Sequence, residues 1–345
     1  MIDVADFGGR LVAWQRAHGR HELPWQRDRA PYRVWLSEIM LQQTQVATVL
    51  GYFERFVQRF PDVRTLAAAD LDEVLALWSG LGYYRRARHL HQCARQLVER
   101  HRGEFPRDAQ ALEALAGIGR STAAAIAAFS FCERAAILDG NVKRVLRRAF
   151  APALHEHAAG SGAELRALWS LAESLLPARD IGAYTQGLMD LGATVCRARR
   201  PACAECPFAA DCPSRGAAAV PAATARRART QARWVLLWAQ DDASGRVWLE
   251  RRGPGGIWPG LWSLPAHADA DAALRQAHEL GHVDAHAALP AQRHLLTHVE
   301  LELAPLRATL TPRPRAADAA AGWFLPHEAL ALGLPAPVRR LLRAN

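Results

Sequence analysis

The sequence predicts two domains in series, a mainly α N-terminal domain and an α/β C-terminal domain. Three observations carry that reading. Apolar residues recur at helical spacing from Pro31 to about Phe150, four cysteines crowd 196–212, and the texture changes after a segment rich in Ala, Pro and Arg. The 345 residues exceed the roughly 100–200 usual for one domain. Half the residues are apolar and 22% are charged, which excludes a disordered or fibrous chain. No apolar run is long enough to cross a bilayer. The start, MIDVADFGGR, lacks the basic-then-apolar order of a secretory signal, so a cytoplasmic protein is expected.

The helical pattern shows in Trp35, Ile39, Leu41 and Val46, and again in Leu71, Val74, Leu75 and Trp78, with Gly and Pro breaks at 60–61, 80–82, 103–106 and 117–119. Further helices are expected over 163–176 and 182–194, leading into the cysteines. These residues make up a first domain over 1–214, followed by a linker over 215–231. In the second domain, 232–345, WVLLWA and RVWLERR flank a polar turn at 241–245 and predict a β-hairpin. A helix over 272–280 and strands over 295–303 and 306–310 complete the expected α/β pattern.

The formal net charge of +9 is unevenly spread: +5 in 1–225, +3 in 226–232 from Arg226, Arg227 and Arg229, and +1 in 233–345. A polyanionic partner would therefore engage the first two-thirds of the chain, although a basic excess is also common on solvated helices. The basic residues are 42 arginines and a single lysine, Lys143.

Cys196, Cys203, Cys206 and Cys212 follow the spacing C-x6-C-x2-C-x5-C. A reducing compartment favours metal binding by such a group over disulfides. Only the central pair is as close as zinc sites usually require, and four thiolates can also hold a 4Fe-4S cluster, so spacing leaves both metals open. Cys93 and Cys132 lie in helical runs and read as buried apolar residues. Arg197, Arg199 and Arg200 occupy the first loop between the cysteines, where pinned guanidinium groups can grip phosphate; unpinned, they would be a solvated basic loop.

The segment LEALAGIGRSTA predicts a helix, a turn with Gly117 and Gly119, and a second helix beginning near Ser121. Such a hairpin brings free backbone N–H groups close to a phosphate without reading sequence, although Gly-x-Gly also serves as a plain turn. Twenty residues on, Asp139 precedes Gly140 and a basic helix carrying Lys143, a place where an aspartate can simply cap the helix.

Together, WLSEIMLQQTQV around Glu38, the turn GLGYY ending in Tyr83 and Tyr84, the hairpin, LDGNVKRV and the four cysteines resemble adenine DNA glycosylases of the MutY type. The resemblance covers about 7–215 and implies a helix-hairpin-helix glycosylase domain with an iron-sulfur cluster loop. It also implies double-stranded DNA with adenine opposite 8-oxoguanine or guanine as partner, in a nucleoid-associated monomer with no membrane partner. Breaking the N-glycosidic bond of adenine needs an acid to activate the base and a carboxylate to offset the oxocarbenium-like sugar. Glu38, between Leu36 and Ile39, fits the acid because burial raises a carboxyl pKa. Asp139 fits the carboxylate. Alone, Glu38 would read as an exposed helix carboxylate. Gln42 lies one helical turn after Glu38 and is therefore expected on the same face. The resemblance assigns Gln42 and Gln43 to the duplex during base flipping, Tyr83 to stacking on the lesion, and Gly117, Gly119, Ser121 and Lys143 to DNA contact.

Endonuclease III-like glycosylases share the hairpin, aspartate and cysteines, but carry a nucleophilic lysine where this chain has Ser121, which excludes an amine mechanism through the hairpin. Ala116 departs from the proline common in such hairpins. A non-catalytic iron-sulfur mismatch sensor is the rival of another class; release of free adenine separates the two. The segment RRGPGGIWPGLWSLP resembles the MutT (Nudix)-like C-terminal domain of the same family. Asp269, Asp271, Glu279 and Asp284 are scattered over 262–290, too sparse for a magnesium-binding acidic box, so pyrophosphohydrolase activity is not expected. The resemblance implies lesion recognition through Leu296, Thr297 and His298, where relatives often have Phe-Ser-His. Read alone, Thr297 and His298 are ordinary strand residues.

Overall fold

The computed structural model describes residues 2–154, 156–216, 228–314 and 318–344; most of the expected linker, 217–227, lies outside the described residues. Contacts divide the chain into two units, Met1–Ala68 with His89–Ala225, and Ala69–Arg88 with Arg226–Asn345. The segment 69–88, which the helical periodicity assigns to the first domain, thus groups with the second unit.

The first unit is helical, and its helices begin where capping residues occur. Asp3, Asp108, Asp139 and Ser161 each accept a backbone N–H from the first turn of the helix that follows, a cap contributing about 1 kcal/mol. Pro31 opens the Pro31–Leu41 helix, where its missing N–H costs nothing. Phe7, on the Val4–His18 helix, stacks on Phe208 at 4.4 Å and meets Phe150 edge-on at 5.4 Å, joining the two ends of the unit. Fully burying each such ring contributes roughly 1.5–3 kcal/mol.

Three expectations need correction here. The Pro31–Leu41 helix stops before Gln42, whose ψ is 111°, and Gln43 has φ of 57°, so Gln42 does not continue the face that carries Glu38. The helix expected over 182–194 is α-helical only across Ile181–Asp190; Leu191–Val195 widens into a π turn. There Gly192 packs against Asn141, where an added Cβ would come within 2.7 Å of the asparagine's Cβ. Cys93 is buried as expected, but Cys132 is exposed, because it ends the Arg120–Phe131 helix in a left-handed conformation with φ of 58°.

In the second unit β1 (Thr230–Asp241), β2 (Val247–Arg251), β3 (Trp262–Ser263), β4 (Ala266–His267), β5 (Gly281–Ala288), β6 (Gln292–Leu295), β7 (Val299–Pro312) and β8 (Ala321–Phe324) form one mixed sheet of order β3-β2-β1-β7-β5. β1 and β7 pair in parallel from Thr230↔Val299 to Asp241↔Leu310, and the hairpin expected at 241–245 joins β1 to β2. β7 runs through Pro305 where the sequence suggests a break, and the proline carbonyl still accepts from Leu289 N–H. The Ala270–Leu280 helix, capped by Asp269, lays Ala273, Ala277 and Leu280 onto Val235, Leu237, Trp248 and Leu310.

The 69–88 segment is tied into this unit by polar contacts. Ser79 Oγ and Tyr84 OH both donate to the Leu334 carbonyl, at 2.9 and 3.1 Å, and Arg339 Nε donates to Ser79 Oγ at 2.9 Å. Asp72, which follows the cap Asp70 on the Leu71–Trp78 helix, accepts from Trp262 Nε1 at 3.1 Å and pairs with Arg251.

Candidate active site

Glu38 lies near the end of the Pro31–Leu41 helix and faces a small cavity. Trp25, Leu41, Val46, Phe129 and Met189 supply apolar walls, and Arg20, Gln26, Arg29 and Gln186 supply polar ones. Loss of water around the Glu38 carboxyl, followed by the charge on Asp139, pushes its pKa up to about 8. The same effect shows that the fold brings the two carboxyls, 101 positions apart in the chain, within electrostatic reach.

Asp139 is the N-cap of the Gly140–Ala149 helix, and its Oδ1 accepts Val142 N–H at 2.7 Å. The capping role is therefore real, and it leaves Oδ2 for other work. Ser121 Oγ accepts Leu138 N–H at 3.0 Å, so the hydroxyl at the hairpin braces the strand-like approach to Asp139. Lys143 sits in the first turn of the Asp139-capped helix, where its backbone N–H bonds the Asp139 carbonyl at 2.9 Å.

The hairpin runs from the Ala109–Glu113 helix through Gly117, φ 76°, to the Arg120–Phe131 helix. An added Cβ at Gly117 would meet His89 Cβ at 2.5 Å, so both the φ and the space require glycine. Gly119 caps the second helix without a side chain, and the space beside its Cα is open. The first N–H groups of such a helix lack intrahelical partners, the feature by which helix starts bind anions. Gln42 Nε2 reaches Thr122 Oγ1 at 3.5 Å, which places the Gln42–Gln43 turn beside the start of this helix.

All four clustered cysteines line one cavity, with Arg148, Val195 and Pro201. Burial, and then the neighbouring charges of Cys196, Cys212 and Cys203 against a backbone hydrogen bond that lowers it, lifts the Cys206 thiol to about 11. Ionised together, four such thiolates would repel one another, so this donor set would suit a bound cation or cluster, although no group of three or more His, Cys, Asp or Glu among the described residues has metal-holding geometry as it stands. The buried Arg148 donates to Cys196 Sγ at 3.3 Å and to the carbonyls of Arg197 and Ala198 at 2.7 and 3.0 Å, fixing the loop while the side chains of Arg197, Arg199 and Arg200 stay exposed.

In the second unit the hydroxyls of Tyr83 and Thr297 lie 3.3 Å apart. Tyr83 is 45% exposed with φ of 50°, and Thr297 and His298 form an exposed bend between β6 and β7 rather than part of a strand. Asp269 is used as a helix cap and Asp284 accepts from Thr311 Oγ1, so neither stands in an acidic cluster.

Motif reading overlooked Gln186, Asp190 and Arg20. Gln186 and Asp190 sit one turn apart on the Ile181–Asp190 helix, and Arg20 lies on the loop after the first helix. The signal available in the sequence was Gln186 and Asp190 at i and i+4 in a run of mostly apolar and small residues.

A family model described as HhH-GPD superfamily base excision DNA repair protein matches residues 36–170, and one described as NUDIX domain matches 233–344. An adenine DNA glycosylase of Buchnera aphidicola from Schizaphis graminum is 30% identical over 344 residues, spanning 97% of each chain. The human adenine DNA glycosylase is 43% identical over 224 residues, 62% of this chain and 40% of the human one. A thermostable thymine-DNA glycosylase superposes with a TM-score of 0.56 at 27% identity, over 61% of this chain and 95% of its own. The chain therefore belongs to the adenine DNA glycosylase family: a DNA N-glycosylase of base excision repair, with a helix-hairpin-helix domain followed by a Nudix-like domain.

Proposed function

We propose that the protein removes adenine mispaired with 8-oxoguanine or guanine, by a monofunctional hydrolytic mechanism. The observation that carries this reading is the desolvated Glu38 carboxyl, held protonated near neutrality within the field of Asp139. Glu38 gives its proton to N7 of the flipped adenine, and the C1′–N9 bond breaks with its electron pair passing into the purine. The Asp139 carboxylate offsets the positive charge left on the sugar. Water then adds to C1′, and its proton returns to the carboxylate pair. No amine enters this scheme: Ser121 stands at the hairpin, and Lys143, the single lysine, serves as a phosphate contact.

Duplex DNA is held by the hairpin N–H groups around Gly117, Gly119 and Ser121, by Lys143, and by Arg197, Arg199 and Arg200. Gln42 and Gln43 enter the duplex, and Tyr83, Thr297 and His298 recognise the opposing lesion. Cys196, Cys203, Cys206 and Cys212 hold a 4Fe-4S cluster, which when bound supplies a cross-link for the arginine loop. Purified, anaerobically prepared protein should then contain iron; stoichiometric zinc without iron would contradict the assignment.

The test of the reaction is a single-turnover assay on duplexes with adenine opposite 8-oxoguanine, guanine or thymine, with and without alkali. Cleavage only after alkali, and only for the first two pairs, is expected. Strand breaks without alkali would point to a lyase, and tight binding without base loss to a mismatch sensor.

A further inference from the structure

Tyr83 stands on a turn of uncommon backbone conformation: its own φ is 50°, and Gly80 and Gly82 before it have φ of 111° and 71°. Beneath that turn lies Arg86, a buried guanidinium near the start of the Arg85–His101 helix. Its Nη2 donates to the carbonyls of Leu81 and Gly82, each at 3.3 Å, and its central carbon lies 5.3 Å from the ring centres of both Trp78 and Tyr83. The fully buried Trp78 donates its Nε1 to the same Gly82 carbonyl at 3.0 Å. Burial pulls the Arg86 pKa down to about 10, with the Tyr83 phenol acting the other way, so the group stays charged at neutral pH.

We propose that Arg86 is a positioning residue for Tyr83: it holds one face of the phenol ring and the carbonyls of the turn beneath it, so that the ring meets DNA already in its stacking orientation. The inference rests on the reading of Tyr83 as a residue that stacks on the lesion. An exposed tyrosine on a glycine-rich turn would otherwise lose its side-chain freedom on entering the duplex, and fixing it beforehand turns that loss into affinity. The planar guanidinium suits the task, because it stacks on aromatic faces while its N–H groups donate to carbonyls, which a compact ammonium cannot do together. At the other end of the ring, the Tyr83 hydroxyl lies 3.3 Å from Thr297 Oγ1, so the phenol is held at its face and at its tip. Arg86 is itself buried, and its influence on DNA passes through Tyr83.

Binding of the full-length protein to a duplex with 8-oxoguanine opposite 2′-fluoro-2′-deoxyadenosine, whose glycosidic bond resists cleavage, tests this in a double-mutant cycle of Arg86→Met and Tyr83→Ala. In the wild-type background Arg86→Met should weaken binding about three- to tenfold. In the Tyr83→Ala background, which should itself weaken binding about tenfold, the same change should cost less than about twofold, because Arg86 then has no exposed ring to hold. Arg86→Lys keeps the charge without the planar fork; it should follow the same pattern, and it carries the test if Arg86→Met does not fold. Equal factors in the two backgrounds would overturn the proposal and make Arg86 a scaffold residue of the turn. A Tyr83→Ala variant that binds as tightly as the wild type would instead remove the reading of Tyr83 as a lesion contact, and this inference with it.

Discussion

The helical unit and the mixed-sheet unit distribute their buried polar groups differently. Of ten buried polar or charged residues among those described, eight belong to the helical unit, including Arg148, Glu164, Gln186 and Asp190, whereas the sheet unit has Arg86 and Ser263. The sheet unit instead packs aliphatic side chains between strand and helix, with aromatic pairs such as Trp248 with Trp323 and Trp262 with Phe324. Desolvated polar groups are costly unless partnered, and groups perturbed by burial cluster at functional sites. The chemistry is therefore expected in the helical unit. The sheet unit brings together the exposed hydroxyls of Tyr83 and Thr297, 3.3 Å apart, the pair proposed above to meet the opposing lesion.

Substitutions can sharpen or break that contrast. The largest effect is expected from Glu38→Gln, which should slow single-turnover adenine release by at least about 100-fold while leaving duplex affinity nearly unchanged. Its effect on stability has the opposite sign. Glu38 has a folded pKa of about 8, well above its ordinary 4.5, so it holds its proton in the folded state while the unfolded chain releases it. Stability is therefore lost as pH rises from the ordinary carboxylate range through about 8. Glu38→Gln should accordingly melt higher than the wild type at pH 8, with the gap closing in acid; an equal or lower melting temperature would argue against a desolvated carboxyl.

Asp139→Asn comes next, with release slowed roughly 100-fold or more. Asparagine caps a helix about as well as aspartate, so its unfolding free energy should stay within about 0.5 kcal/mol of the wild type, and a large loss would reassign Asp139 to structure. Glu164 accepts both Nε and Nη2 of Arg147 at 2.7 Å, and this pairing holds its carboxyl below the usual range. Because Arg147 stays partly solvated when its buried partner is removed, Glu164→Ala should cost about 1–2 kcal/mol in urea unfolding at neutral pH. The stability supplied by the wild-type pair is present above the ordinary carboxylate range and lost as pH falls through the lowered pKa. The smallest effect is expected in the sheet unit: Tyr83→Phe deletes one exposed hydroxyl contact and should change lesion affinity by about 1 kcal/mol or less. A loss as large as that of Glu38→Gln would mean that the recognition surface, not the helical cavity, controls the reaction.

What the sequence made legible was local. Glu38 with its apolar neighbours, the Gly117–Gly119 hairpin, the aspartate ahead of a basic helix and the cysteine spacing are short-range patterns whose chemistry is written in adjacent residues. The Asp190–Arg20 pair was not legible, because its partners are 170 positions apart in the chain. The end of the Pro31–Leu41 helix before Gln42 was missed for a different reason: nothing in LQQT breaks a helix by propensity, and the turn is made by positive φ at Gln43. Likewise, helical periodicity identifies the Leu71–Trp78 helix but not its partner, which Ser79, Tyr84 and Asp72 find in the sheet unit through hydrogen bonds no local pattern encodes.

The proposed mechanism requires Glu38 to be the protonated acid at working pH, and the pH profile of single-turnover adenine release tests that most directly. The profile should be level in the neutral range and fall roughly tenfold per pH unit above the apparent pKa of the carboxyl pair, near the value of about 8 for Glu38. The residual activity of Glu38→Gln should lack that limb. A wild-type rate that stays level or rises well above pH 8 would contradict the assignment of Glu38 as general acid.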